Sequence, residues 1–181
     1  MEKEYSVAIY PPDAISLLVK SMKEQLATEV GWFHSKNSVG HITICEFKAT
    51  DSEIESIKKQ LDKLCANLNS VKVTLNHFGT YPNGAFFISP DAASKDNLIP
   101  IMQHIQRSLC IQNMKKSDDP HVSIARRLTP ENLEKAKALF TTIAIDFLCD
   151  SIVLRKFNEN IKQFDVIDTF KFNNNPPPEP V

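Results

Sequence analysis

The stretch His41-Ile42-Thr43-Ile44 returns 80 positions later, chemically almost unchanged, as His121-Val122-Ser123-Ile124. Side chains of an extended strand alternate between two faces, so each copy sets one imidazole and one hydroxyl side by side above an apolar underside. One such strand constrains little. Two in a chain of 181 residues require a fold that presents matched polar faces, and they point to a paired site.

The segments around these strands give the order of elements. Tyr5, Val7 and Ile9 alternate with Ser6 and Ala8 as a strand. A helix follows from Pro12-Asp13, with Ile15, Leu18, Val19, Met22 and Leu26 on one face and Gly31 as its stop. Thr50 to Glu53 reads as a capping box before the stripe Ile54, Ile57, Leu61 and Leu64. Val71, Val73 and Leu75 alternate, and after a turn at Tyr81-Pro82-Asn83-Gly84 the chain re-enters as Ala85 to Ile88, a hairpin. Leu98, Ile101, Met102, Ile105 and Leu109 form a third helical stripe, with Pro100 acceptable in its first turn. Thr129-Pro130 opens a fourth helix, and from Ile143 to Phe172 the chain is mainly strand. Strands and helices interleave in two similar halves, each holding one histidine strand. Residues 173–181, rich in Asn and Pro, are expected to be a disordered tail, leaving residues 1–172 as one domain.

Composition narrows the partners. A net charge of −1 excludes the broad basic surface of a protein that grips long nucleic acid, while leaving room for a local basic site. The absence of a secretory stretch or bilayer-length apolar run predicts a cytoplasmic protein with no membrane partner. Cys45, Cys65, Cys110 and Cys149 form no Cys-x-x-Cys pair, and buried, reduced thiols are expected. Strict alternation places Cys45 on the face of His41 and Thr43.

Two imidazoles suit phosphodiester cleavage, in which one group activates the attacking oxygen and another protonates the leaving oxygen. The two motifs resemble those of the two-histidine (2H) phosphoesterase superfamily, whose signature is two His-x-Thr/Ser-x stretches, and their separation is similar to that in the bacterial 2'-5' RNA ligase and cyclic phosphodiesterase group. The second motif, Asp119-Pro120-His121-Val122-Ser123-Ile124-Ala125-Arg126, is the closer match, since the family often has Pro before this His and Arg five positions after it. The first departs from the family, with Cys45-Glu46-Phe47-Lys48 where many members carry an apolar run ending in Phe-Leu-Gly.

The resemblance implies a bilobal α+β fold, with two antiparallel sheets facing a central cleft and helices outside. It also implies a metal-independent enzyme without cofactors, in which His41, Thr43, His121 and Ser123 are catalytic. The substrate is then a nucleotide or RNA-end phosphodiester, a 2',3'-cyclic phosphate or a 2'-5' linkage. The same cleft suits two alternatives: RNA-ligase-like end joining, or a module that binds a nucleotide or RNA end without turnover. A monomer is expected. For a shared phosphate the ring nitrogens must stand roughly 5–8 Å apart, in a gap between two sheets.

Arg126 is a substrate-binding candidate, though alternation favours Arg127 on the His121 face unless a bulge intervenes. Tyr81, in its turn, is a second one. His34, His77 and His104 lack paired hydroxyls; His77 on the apolar side of its strand and His104 beside a helical stripe read as packed. A metal site from His34, His41 and His77 is disfavoured because neither His-x-x-x-His spacing nor clustered carboxylates accompany them. Tyr10, Trp32, Phe33, Phe47 and Phe86 read mostly as core aromatics.

Overall fold

The computed structural model describes residues 1–173. β1 (Lys3–Ile9) leads into α1 (Asp13–Val30), which stops at Gly31, φ +77°, in the left-handed region open to glycine. β2 (Ile42–Ala49) carries the first motif, and α2 (Asp51–Ala66) follows from the expected capping box. There Thr50 Oγ1 accepts from the Glu53 amide at 3.3 Å and the Glu53 carboxylate accepts from the Thr50 amide at 2.7 Å. The hairpin of β3 (Val71–Tyr81) and β4 (Ala85–Pro90) comes next.

α3 (Ala92–Leu109) begins earlier than its apolar stripe, because Asp91 caps it by accepting from the Ser94 amide at 2.8 Å. Pro100 therefore lies in the helix interior, not the first turn as the stripe suggested. The bond it removes would have ended on the Asp96 carbonyl, and both residues are exposed, so water takes the freed oxygen. The two-residue β5 (Lys115–Lys116) precedes β6 (Val122–Ala125), which carries the second motif. Thr129 caps α4 (Pro130–Leu139), with Pro130 at its first position, and β7 (Ile145–Cys149), β8 (Ser151–Asn158) and β9 (Gln163–Lys171) complete the fold. Of the expected tail only Asn173 is described, its amide donating to the Cys65 carbonyl at 3.2 Å; residues 174–181 lie outside the described residues. No described helix is long and apolar enough to cross a membrane.

The α+β class and the two halves are as expected. Every strand pair is antiparallel, and the path β7-β3-β4-β6-β2-β1-β8-β9 divides into four strands around each motif. In place of two separate sheets, the halves join edge to edge along this path at one pair, Ile42 opposite Val122, with β5 paired to β2 beside it. The motif residues thus meet across a seam within a continuous sheet.

Ile42, Ile44, Val122 and Ile124 are fully buried, in contact with a helical layer: α1 packs on β6, α2 and α3 on β2, and α4 on β4. Each such side chain contributes about 1.5–3 kcal/mol by leaving water. A one-residue slip would expose all four and bury the imidazoles, so the core fixes which face carries the histidines. That opposite face stays open.

Two bulges sit at matching places. The β1–β2 ladder has Ala8 opposite Thr43 and Val7 opposite Cys45, leaving Ile44 unopposed; the β4–β6 ladder has Phe87 opposite Ser123 and Phe86 opposite Ala125, leaving Ile124 unopposed. The extra residue is in each case the fourth of its motif. Both carbonyls are recaptured: Ile44 O accepts from Gln106 Nε2 at 2.9 Å and the Ser117 amide at 3.0 Å, and Ile124 O accepts from Ser35 Oγ at 3.2 Å. Each bulge reverses the alternation beyond it. Cys45 consequently turns into the core, fully buried opposite Val7, instead of sharing the His41 face. Glu46 and Arg126, each five residues after its histidine, take the open face in its place. A third bulge, between Leu75 and His77, turns His77 out to solvent instead of onto the apolar side, and His104 is exposed too.

Candidate functional site

His41 and His121 each stand one residue before their strand. With Ile42 opposite Val122 in an antiparallel pair, His41 aligns with Ser123 and Thr43 with His121, and all four partly exposed side chains share the open face. The histidines are then diagonal neighbours, a relation that spans about 7–8 Å in antiparallel pairs.

The two rings are anchored alike. His41 Nδ1 lies 2.6 Å from the Val39 carbonyl, and His121 Nδ1 lies 2.6 Å from the Asp119 carbonyl, two residues back in each case. A carbonyl only accepts, so Nδ1 carries the proton and Nε2 is the nitrogen left for chemistry.

Their surroundings differ. Burial pushes the His41 imidazole down to about 3; the Arg155 guanidinium adds to this, the Val39 carbonyl opposes it, and Lys23 and Arg126 lower it further. His41 is therefore neutral at ordinary pH. Arg155, on β8, is 3% exposed; its Nη2 donates to Ser6 Oγ at 2.6 Å, its guanidinium lies over Phe164 (4.9 Å) and Tyr10 (5.9 Å), and its Nε has no hydrogen-bond partner among the described residues. Tyr10 also lies beside the His41 ring, at 6.1 Å. Lys23, 1% exposed on α1, donates to the Ser35 and Ser38 carbonyls at 2.8 and 2.7 Å, and burial brings its pKa down to about 8. These two buried cations were missed by sequence reasoning. The signal was present: Lys23 falls on the Val19, Met22, Leu26 face of its helix, and Arg155 interrupts the apolar run Ile152-Val153-Leu154.

Around His121 the setting is aromatic and acidic. Phe87 lies 4.8 Å from its ring and Tyr81 meets it edge-on at 5.6 Å. Tyr81 ends β3 just before the turn, and its hydroxyl donates to the Asp119 carboxylate, which Lys95 also approaches at 3.4 Å. Burial works against the Asp119 charge, but Tyr81, Lys95 and His121 together hold its carboxyl below the usual range. Burial and then Asp119 push the Tyr81 phenol up.

Arg126 is exposed on the open face, its backbone bridged to His34. Arg127, favoured by strict alternation, adopts φ +57° where the strand ends. No group of three His, Cys, Asp or Glu among the described residues is placed to hold a metal. A groove of about 680 Å³ beside α2 and the end of α3 includes Glu46 and Lys115 but none of the four motif residues.

The sequence pattern of the 2'-5' RNA ligase superfamily matches residues 11–160. The chain belongs to this superfamily. Its two-histidine phosphoesterases and ligase-like members act on nucleotide and RNA phosphodiesters, as the paired motifs implied. Escherichia coli LigT complexed with 3'-AMP is similar in structure, with a TM-score of 0.68 and 10% identity, over 95% of this chain and 99% of that one. LigT complexed with phosphate gives 0.66 and 9% identity, over 94% and 98%. Kluyveromyces marxianus Usb1 gives 0.58 and 12% identity, over 93% and 98%. At such identities the likeness is one of fold. No curated protein matches the sequence.

Proposed function

We propose that this superfamily member is a phosphodiesterase that opens 2',3'-cyclic phosphates or cleaves 2'-5' linkages of nucleotides and RNA ends, with His41 as general base and His121 as general acid. The observation that carries this reading is the matched anchoring of the two imidazoles, each donating Nδ1–H to the carbonyl two residues back at 2.6 Å and freeing Nε2 beside a hydroxyl. The roles divide by surroundings: cations and burial keep His41 neutral, whereas His121 stands beside the Asp119 carboxylate.

In hydrolysis of a cyclic phosphate, a water oxygen bonds to phosphorus while the bond from phosphorus to one ribose oxygen breaks. The water proton passes to His41 Nε2, and His121 Nε2 gives its proton to the departing ribose oxygen. Thr43 and Ser123 hydroxyls donate to the non-bridging oxygens and Arg126 supplies charge there, interactions that strengthen as negative charge grows in the transition state. Tyr81 borders the phosphate on the His121 side. The chemistry asks for no metal or cofactor, and the protein acts as a cytoplasmic monomer. Superfamily membership supports this reading, as do the 3'-AMP and phosphate complexes of LigT.

The test is incubation with 2',3'-cyclic AMP, 2'-5' dinucleotides and short RNAs ending in a cyclic phosphate, with products resolved by chromatography. Turnover of at least one substrate that disappears in His41→Ala and in His121→Ala supports the reading. Turnover abolished by a chelator and restored by one divalent ion sinks it.

A further inference from the structure

One exposed aromatic group beside the open face has no part in the chemistry described. Beyond Gly31 the chain runs Trp32-Phe33-His34 alongside the end of β6, where His34 and Arg126 form an antiparallel bridge, the Arg126 amide donating to the His34 carbonyl at 3.1 Å. Bridged residues share a face, and the bulge at Ile124 has put Arg126 on the face of His121 and Ser123. His34 therefore lies on that face beside Arg126, and Trp32, at a bend two residues earlier, stays exposed against the His34 ring, while Phe33 between them is buried in the core. Trp32 is 67% exposed, and its indole rests against the His34 imidazole with centroids 5.0 Å apart and planes at 60°. A tryptophan this open forgoes the burial that most obtain, and the imidazole at its edge holds it in place.

We infer that Trp32, supported by His34, is the stacking surface for a nucleobase of the substrate, with Arg126 between it and the phosphate. The inference rests on the phosphodiester reading and specifies the part of the ligand that reading leaves unplaced. Along the face come the motif imidazoles, then Arg126, then the indole, which matches the sequence of groups from phosphate to base in a nucleotide. Arg126 also lies near enough to His41 for its charge to be felt there, and its backbone is bridged to His34, so the same residue neighbours both the motif site and the ring pair. An indole face accepts any base, because every base has a π-face. The subsite accordingly selects nucleotides over simple phosphate esters instead of one base over another.

Trp32 is the single tryptophan of the chain, so its fluorescence reports on this place alone. The wild-type protein and the Trp32→Ala and Trp32→Phe variants, checked for folding by circular dichroism, are titrated with 3'-AMP, ribose 5-phosphate and inorganic phosphate, using fluorescence for the wild type and calorimetry for all three proteins. The expected result is saturable quenching by 3'-AMP alone. Trp32→Ala weakens 3'-AMP binding about 5- to 150-fold, the usual worth of one base stacked on an aromatic ring, while phosphate affinity stays unchanged and Trp32→Phe restores most of the loss. Binding of 3'-AMP that neither alters the fluorescence nor suffers in Trp32→Ala overturns the stacking surface and leaves the phosphodiester reading standing. Failure of both 3'-AMP and phosphate to bind overturns both.

Discussion

Arg155 and Tyr81 stand at equivalent places in the two halves of the sheet. Arg155 lies two residues beyond Val153, which aligns through Ala8 with Thr43; Tyr81 lies two residues beyond Gly79, which aligns through Phe87 with Ser123. One histidine thus has a guanidinium on its flank and the other a phenol tied to a carboxylate. The repeated motif supplies two like imidazoles, and these flanking residues make them unlike.

Replacing Arg155 by Met is therefore expected to raise the pKa of His41 from about 3 only part of the way back, since burial is the larger cause and the cation the second. Titration of the His41 ring proton by NMR measures it. A pKa that stays put or falls would remove Arg155 from the account of why His41 is neutral.

Loss of either imidazole is expected to reduce turnover by about two to four orders of magnitude, the usual scale for a general acid or base. Thr43→Val and Ser123→Ala remove one hydrogen-bond donor each and are expected to cost less than either histidine. Single-turnover rates on the best substrate decide the order, and a hydroxyl variant slower than both histidine variants contradicts the assignment.

Stability toward acid follows from His41. Its pKa is about 3 in the folded protein against 6.5 when unfolded, so between these values the unfolded chain binds the extra proton and stability declines as pH falls. Urea unfolding of the wild type and His41→Asn at pH 7 and pH 4 is expected to show a smaller acid loss in the variant. Equal losses would mean that His41 takes up its proton without cost to the fold.

Gly79 is a place where the second histidine can be disturbed from a distance. A Cβ there would collide with the Phe87 ring, which packs on His121. Gly79→Ala is expected to leave a folded protein whose turnover falls by up to about a hundredfold, the scale of a 1 Å misplacement of a catalytic group. Wild-type turnover in this variant would show that Phe87 moves aside without carrying His121 with it.

Thiol labelling tests the burial of the cysteines. Cys45, Cys65 and Cys149 are buried, with thiols pushed up to about 12 chiefly by burial, whereas Cys110 is exposed. One rapid alkylation per native chain, located at Cys110 by mass spectrometry, is expected. Rapid labelling of Cys45 would return it to the open face.

The alternation of apolar residues made the histidine strands legible, and capping residues such as Thr50 and Thr129 made helix starts legible, because both signals are local. What the sequence concealed lies where local rules are interrupted. The bulges at Ile44, Ile124 and Asn76 change which face a residue takes, and nothing in the residues themselves marks the slip, since each depends on a neighbouring strand and on side chains as distant as Gln106 and Ser35. The same holds for His34, which is bridged to Arg126 and carries the Trp32 ring against its own, and for the short β5, formed by two lysines beside β2.

The seam at Ile42 and Val122 carries a mechanical consequence. Each half is tied internally by longer ladders, while the two meet at Ile42–Val122, at the short β2–β5 pair, at the His34–Arg126 bridge and through Gln106, which fastens Ile44 to Ser117. His41 and His121 stand on the two sides of this seam, so the spacing of the imidazoles is set where the halves meet. The distance that a shared phosphate must match is therefore held by contacts between the halves, and not by either motif strand alone.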